Sequence, residues 1–127
     1  MHGHFDPETL RLLDESPEVH HIETRRDEGS PVHRTIVWVI VVSGEVFVRS
    51  VRDPKGRWYR EISGNQAGAL HVGEFHIPIH AARATDTPTT QAVSDAFRSK
   101  YEQDWPGPTA AIMRSDALLT TLRLSLA

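Results

Sequence analysis

The chain has 127 residues, of which 39% are hydrophobic and 24% are charged, and these values are typical of one folded domain rather than of a disordered chain. Its net charge of −3 excludes a general attraction to nucleic acid or to an acidic membrane. The absence of cysteine excludes disulfides, thiolate metal sites and cysteine nucleophiles. We therefore expect a single domain over residues 1–127. Because neither a signal-peptide pattern nor a long apolar run is present, we expect it to be cytoplasmic.

A short helix and a strand are predicted first. Asp6 is a favourable N-cap and Pro7 is a favourable first helical residue, so the sequence predicts a helix over residues 7–14, as an appendage to the domain. A strand is predicted over residues 19–26. The turn-forming residues 27–31 end this strand.

A β-hairpin is the most distinctive pattern. Residues 35–42 are β-branched or aromatic throughout, Ser43 and Gly44 have turn composition, and residues 45–51 alternate. The first arm is apolar on both faces, whereas a strand of a small antiparallel barrel normally has one wet face. A helix or a second subunit could cover its outer face. We favour a second subunit, and hence a homodimer, because extended apolar surface is rare on soluble monomers.

The second half of the chain predicts a mixture of helices and strands. Its elements in order are a short helix over residues 57–62, a hairpin of residues 68–72 and 74–84 through Gly73, a helix from Thr87 that ends near Trp105, and a last strand over residues 118–126. Pro78 favours an edge strand or a bulge. With the earlier elements this makes six strands and a mainly β fold with peripheral helices.

Basic and aromatic side chains are concentrated in residues 49–60. The segment joins the end of a strand to the start of a helix, and a helix N-terminus attracts phosphate. Arginine and lysine side chains add charge-assisted hydrogen bonds, and Trp58 or Tyr59 could stack on a flat ring. The segment has the parts that a phosphorylated aromatic cofactor needs. The alternative is that its arginines are solvated and Trp58 is a core residue.

Histidines form a second candidate cluster. His76 and His80 share one face of their predicted strand, and together with His71 they could bind zinc. The sequence places no carboxylate-and-histidine motif beside them, so we interpret them as a polar strand face and predict no metal site. No serine-nucleophile or glycine-rich phosphate motif is present either. The sequence therefore indicates no catalytic side chain.

The element order resembles the split-barrel family of flavin and deazaflavin oxidoreductases, which includes pyridoxamine-phosphate-oxidase-like and deazaflavin-dependent nitroreductase-like proteins. The likeness is best over residues 34–65. Arg34-Thr35-Ile36-Val37-Trp38 is similar to the family's Arg-Thr-x-Pro-hydrophobic strand, and Val48-Arg49-Ser50 is similar to the strand end that supports the cofactor. Residues 55–65 resemble the family's Pro-x-Trp-Tyr-x-Asn-Leu-x-x-Asn helix. The chain most resembles an uncharacterised bacterial branch of this family.

This resemblance implies a six-stranded antiparallel split barrel that acts as a homodimer, with FMN or a deazaflavin in a groove at the subunit interface. The implied cofactor-binding residues are Arg34, Thr35, Arg49, Ser50, Lys55, Arg57, Trp58 and Tyr59. Arg49, Ser50, Lys55 and Arg57 would face the phosphate, and the two aromatic residues would line the pocket or hold the helix. The resemblance implies an oxidoreductase of unidentified substrate. The alternative is a non-enzymatic ligand-binding or sensing module on the same barrel.

Overall fold

The chain forms a curled antiparallel sheet with helices on its outside. The computed structural model describes residues 3–15, 20–50 and 56–127. The helices are α1 (Pro7–Glu15), α2 (Arg57–Asn65), α3 (Thr87–Tyr101), α4 (Pro106–Ile112) and α5 (Ser115–Leu118). The strands are β1 (His20–Thr24), β2 (His33–Val37), β3 (Val39–Val42), β4 (Glu45–Val48), β5 (Ala67–Val72), β6 (Phe75–Arg83) and β7 (Leu122–Leu126). In these ranges no helix has the length and apolarity to span a membrane.

The order of strands shows why the sheet closes. It runs β2-β1-β5-β6-β7-β4-β3, so that β2 and β3 lie at opposite edges. These two strands are separated in the chain by Trp38 alone. Both edges of the sheet must therefore meet at Trp38, which curls the sheet into a barrel that is split between β2 and β3. The split-barrel prediction is confirmed.

The strand count was predicted wrongly, because one apolar run forms two strands. Residues 35–42 were predicted as a single hairpin arm. In the structure β2 pairs with β1 and β3 pairs with β4, which makes seven strands among the described residues instead of six. Only residues 39–42 belong to the predicted hairpin, whose turn residues Ser43 and Gly44 have φ of 51° and 78°. Positive φ at both turn residues gives the turn a twist that matches the twist of its two flanking strands.

Two separate cores hold the barrel and its helices together. The interior of the barrel packs residues from most strands and from α1 and α2, among them Leu13, Ile22, Val46, Ile62, Leu70 and Leu124. A second core lies outside the sheet, where Ile40 and Phe47 of the β3–β4 hairpin pack against Val93 and Phe97 of α3. The outer face of β3 is thus covered by a helix of the same chain. This corrects the expectation that a second subunit covers the whole arm.

Prolines explain two further differences from the predicted elements. The helix that was predicted to end near Trp105 ends at Tyr101, and Pro106 begins a further helix, α4, since the first turn of a helix does not need the missing N–H. Pro78 was expected at an edge or a bulge, yet β6 pairs with strands on both sides. The pairing of β6 with β7 stops at Ile79, the residue after Pro78. Because Pro78 is not paired with β7, its missing N–H costs no backbone hydrogen bond to that strand. The last strand begins at Leu122, because residue 118 ends α5.

Candidate functional site

A groove opens where the β2–β3 junction meets the N-terminal end of α2. Its volume is about 190 Å³, and it is lined by Ile36, Val37, Trp38, Arg49, Trp58, Pro108 and Ile112. We call it the Trp58 groove. Ile36 remains 61% exposed at its rim. Its walls are therefore mostly apolar and aromatic, as a flat organic ring would require.

Helix α3 holds the Trp38 side of the groove in place. The rings of Trp38 and Tyr101 are stacked, with centroids 4.1 Å apart and an angle of 7° between their planes. The Tyr101 hydroxyl donates a hydrogen bond to the Val39 carbonyl at 3.3 Å. Burial raises the pKa of Tyr101 to about 12, so the hydroxyl keeps its proton at neutral pH. The Trp38 ring is thus fixed by stacking rather than free to rotate.

Helix α2 supplies the opposite wall. Trp58 and Tyr59 are both buried, and their rings meet edge to face with centroids 6.2 Å apart. Trp58 lines the groove and also packs in the barrel core. The Tyr59 hydroxyl lies 3.5 Å from the Leu119 carbonyl, to which it donates. Trp58 is therefore placed both to line the groove and to anchor the helix, while Tyr59 lies in the core behind it.

Arg49 is buried below the groove and is held by the protein itself. Only 2% of its surface is exposed. Its guanidinium donates to the Thr121 hydroxyl at 2.8 Å, the Ser94 hydroxyl at 2.9 Å, the Thr90 carbonyl at 2.8 Å and the Ile112 carbonyl at 3.4 Å. Burial lowers the pKa of Arg49 to about 10, which leaves it charged at neutral pH. Of five N–H donors, one remains for the predicted phosphate contact.

Two of the predicted basic side chains are accessible. Arg57 is exposed at the first position of α2, whose N-cap residue, Gly56, provides no side-chain hydrogen bond. Arg34 is exposed on β2, with its Nε 3.6 Å from Glu23 Oε1. It precedes Ile36 by two residues, and so shares its face of the strand. Lys55 lies outside the described residues.

The two predicted hydroxyl residues have different surroundings. Ser50 is fully buried, and its amide donates to the Thr120 hydroxyl at 2.9 Å. Its own hydroxyl has no hydrogen-bond partner among the described residues. Thr35 is half-buried on β2 and alternates with Arg34, so it lies on the other face of the strand.

The size of the Trp58 groove can be compared with that of known ligand pockets. Pockets that enclose a drug-sized ligand measure roughly 300–1,000 Å³, and the Trp58 groove is smaller. Its walls suit a flat ring, and the Arg57 guanidinium beside the uncapped helix end suits a phosphate. A larger cleft of about 550 Å³ lies between α1 and Phe75, but its wall carries two carboxylates, Asp6 and Glu8, against one cation, Arg11, which suits an anionic cofactor less well. The residues present fit a flavin-type group at the Trp58 groove better than in that cleft.

Solved structures with the same fold are found at low sequence identity. An F420-H2 dependent reductase superposes with a TM-score of 0.63 and 13% identity, over 86% of this chain and 94% of the other. An FMN-binding protein from Syntrophomonas wolfei gives a TM-score of 0.61 and 11% identity, over 96% and 84%. The heme storage protein HutZ from Vibrio cholerae gives 0.60 and 11%, over 97% and 89%. At these identities the likeness establishes the fold.

Comparison of sequences places the chain in a family. No curated protein sequence is a significant match. A family model described as "Uncharacterized protein conserved in bacteria (DUF2255)" matches residues 9–124, which is nearly the whole chain. The chain therefore belongs to the DUF2255 family of conserved bacterial proteins, and it has the split-barrel fold of flavin- and deazaflavin-binding proteins.

Proposed function

We propose that this chain is a flavin- or deazaflavin-dependent oxidoreductase, which works as a homodimer and binds its cofactor in the Trp58 groove. The observation that carries the proposal is the groove itself, an aromatic-walled opening beside a basic helix end. It occurs in a fold shared with an F420-H2 dependent reductase and an FMN-binding protein. A bound cofactor of this kind supplies hydride or electron transfer, while the protein supplies position and shielding.

In this proposal, different side chains bind the ring and the phosphate of the cofactor. Trp38, Trp58 and Ile36 offer apolar contact to the ring. The exposed Arg57 guanidinium and the N–H groups in the first turn of α2 bind the phosphate. Ser50 is fully buried, and it too remains only a predicted contact. Thr35, Lys55 and Arg34 remain predicted contacts, as does the last donor of Arg49.

A second subunit completes the groove in this proposal. The groove is too small to enclose a flavin ring system, and the exposed Ile36 beside it is an apolar surface that a partner would cover. A partner that covers this surface also shields the reacting part of the ring from water. The homodimer and the cofactor site are thus one proposal, since each needs the same surface.

Cofactor binding tests the proposal. The purified chain is titrated separately with FMN and with the deazaflavin F420, and binding is followed by visible absorption and fluorescence. We expect one of the two to bind, and we expect Arg57→Ala to weaken it about tenfold to a hundredfold, because a hydrogen bond to a charged group is lost. Arg60→Ala is the matched control. It removes an equally exposed arginine one turn further along α2 and should leave the affinity unchanged.

Failure of both cofactors to bind would reject the oxidoreductase proposal. Haem is then the next ligand to titrate, because the heme storage protein HutZ shares the fold. Binding of haem without any redox turnover would favour the alternative, a ligand-binding module. Unchanged affinity in Arg57→Ala would place the phosphate away from the start of α2, and an equal loss in Arg57→Ala and Arg60→Ala would mean that general electrostatic attraction replaces a specific contact.

A further inference from the structure

The outer face of the sheet carries a cluster of two histidines and one glutamate. His71 of β5 lies directly opposite His76 of β6, and it lies opposite His21 of β1 on its other side. Glu23 follows His21 by two residues, so its side chain is on the same face as the histidines. Three neighbouring strands therefore bring these side chains together. None of these side chains lines the Trp58 groove, although Ile36 at the rim of that groove lies on the same face of the sheet, opposite His21.

The ligand atoms of Glu23, His71 and His76 converge. His71 Nε2 lies 2.9 Å from Glu23 Oε1, and His76 Nε2 lies 3.8 Å from Glu23 Oε2. The two imidazole rings meet edge to face, with centroids 4.8 Å apart. All three side chains offer a ligand atom within 4.8 Å of the others. The carboxylate thus lies between two imidazole nitrogens.

We propose that Glu23, His71 and His76 form a binding site for a divalent transition-metal ion of the zinc type. Zinc binds imidazole nitrogen and carboxylate oxygen at about 2.0–2.2 Å, which places tetrahedral ligands about 3.4 Å apart. The two distances, which go to different oxygens of Glu23, lie on either side of that value, and one ligand atom from each residue lies within 4.8 Å of the others, so side-chain rotations can bring them into range. Imidazole and carboxylate ligands together suit zinc better than calcium or magnesium.

The surroundings leave the metal accessible. The cluster is half-buried, with 15% of the His71 side chain, 21% of Glu23 and 52% of His76 exposed. A cleft of about 230 Å³, whose lining includes Glu23, His76, Asn65 and Pro78, opens beside it. Three protein ligands leave a fourth position for water or for an exogenous group, as in catalytic rather than structural zinc sites.

Arg25 also lines the cleft beside Glu23 and His76, but the cation that pairs with the Glu23 carboxylate is Arg34. Its Nε is 3.6 Å from Glu23 Oε1, but 63% of its side chain is exposed. A solvent-exposed ion pair contributes only about 0–1 kcal/mol to stability. The arginine can therefore turn away at small cost when a metal ion binds. The backbone of the site lies on three paired strands, which hold the ligands rigidly.

The experiment measures metal binding by the full chain without a purification tag. His2 and His4 are both replaced by alanine in the parent protein, so that the N-terminal histidines do not contribute. Zn²⁺ is titrated calorimetrically, and Co²⁺ is titrated by visible absorption, which reports tetrahedral coordination. We expect one ion per chain, and we expect Glu23→Gln, His71→Ala and His76→Ala each to weaken binding at least about tenfold.

His80→Ala is the matched control, because it removes another histidine from the same face of β6, four residues beyond His76. It should bind Zn²⁺ as the parent does. His76→Ala keeps the test valid if the other variants fail to fold, because this side chain is half exposed. The absence of saturable Zn²⁺ binding in the parent would overturn the proposal. So would equal binding by the parent and by folded His76→Ala.

Discussion

Arg49 shows how a residue that resembles a ligand contact also serves the scaffold. Its guanidinium connects the end of β4 to α3 through Ser94 and Thr90, and to the start of β7 through Thr121. It also lies over the Phe97 ring, 5.5 Å from the ring centroid. A charge that is buried in this way costs free energy unless hydrogen bonds satisfy it. These bonds are therefore needed for packing before any cofactor binds.

Replacement of Arg49 by methionine is expected to destabilise the chain. The substitution keeps much of the side-chain volume but leaves buried hydroxyl and carbonyl groups without their donor, so the free energy of unfolding should fall by about 1–3 kcal/mol. Urea denaturation measures this change. Arg98→Met removes an exposed arginine from α3 and should change the stability by less than about 0.5 kcal/mol. If the two variants were equally stable, the free-energy cost of burying the Arg49 charge would equal the stabilisation from its hydrogen bonds.

At Gly68, strands β1 and β5 lie so close together that a side chain does not fit between them. Gly68 lies on β5 beside β1, and a Cβ atom there would lie 2.5 Å from the Glu23 carbonyl oxygen. The same Cβ would touch Ile62 of α2 at 3.4 Å. Since backbone atoms cannot yield as a flexible side chain does, any larger residue must push the strands apart. Glycine at this position therefore permits the pairing of β1 with β5.

Gly68→Ala is expected to lower the free energy of unfolding by about 1–3 kcal/mol, as overpacking typically does. Gly64→Ala is a control that is expected to raise the free energy of unfolding. Its Cβ would meet nothing within 4 Å, and it lies in α2, where alanine is favoured over glycine by up to about 1 kcal/mol. Thermal unfolding of both variants checks the pair. A neutral Gly68→Ala would show that the two strands can separate without cost.

On the scale of the whole molecule, the exposed Ile36 marks the surface where we propose that two chains meet. A negative charge there would have to be buried in the dimer, so Ile36→Asp is expected to shift a homodimer to monomers. Light scattering over a range of concentrations measures the change. Phe75→Asp alters an equally exposed apolar residue at the start of β6, away from the Trp58 groove, and should leave the dimer intact. A monomeric parent chain would contradict this part of the proposal.

Local signals predicted the hairpins, whereas the division of the apolar run depends on the whole sheet. Ser43-Gly44 and Gly73 identify their turns, because few residues accept positive φ. No local pattern distinguishes one strand over residues 35–42 from two strands that pair at opposite edges. The break at Trp38 follows from which strands lie beside β1 and β4, and this is set by contacts distant in sequence.

Much of the candidate site depends on long-range contacts in the same way. Trp58 and Arg57 lie in the segment that the sequence singled out, but Pro108 and Ile112 reach the groove from α4. The partners of Arg49 are also remote in the chain, so no local pattern indicates that its donors are used within the protein. Glu23 and His71 are 48 residues apart and meet only through the register of β1 and β5, which a pattern of residues does not define.

The position of β7 has a consequence for synthesis of the chain. It lies between β6 and β4, and thus joins a four-stranded part of the sheet, β2-β1-β5-β6, to the β4–β3 hairpin. Residues 122–126 leave the ribosome after every strand that they connect. Until then the nascent chain has two sheet fragments with unpaired edges, and such edges invite association with other chains. Binding of chaperones to these edges would therefore matter most in the interval before β7 emerges from the ribosome.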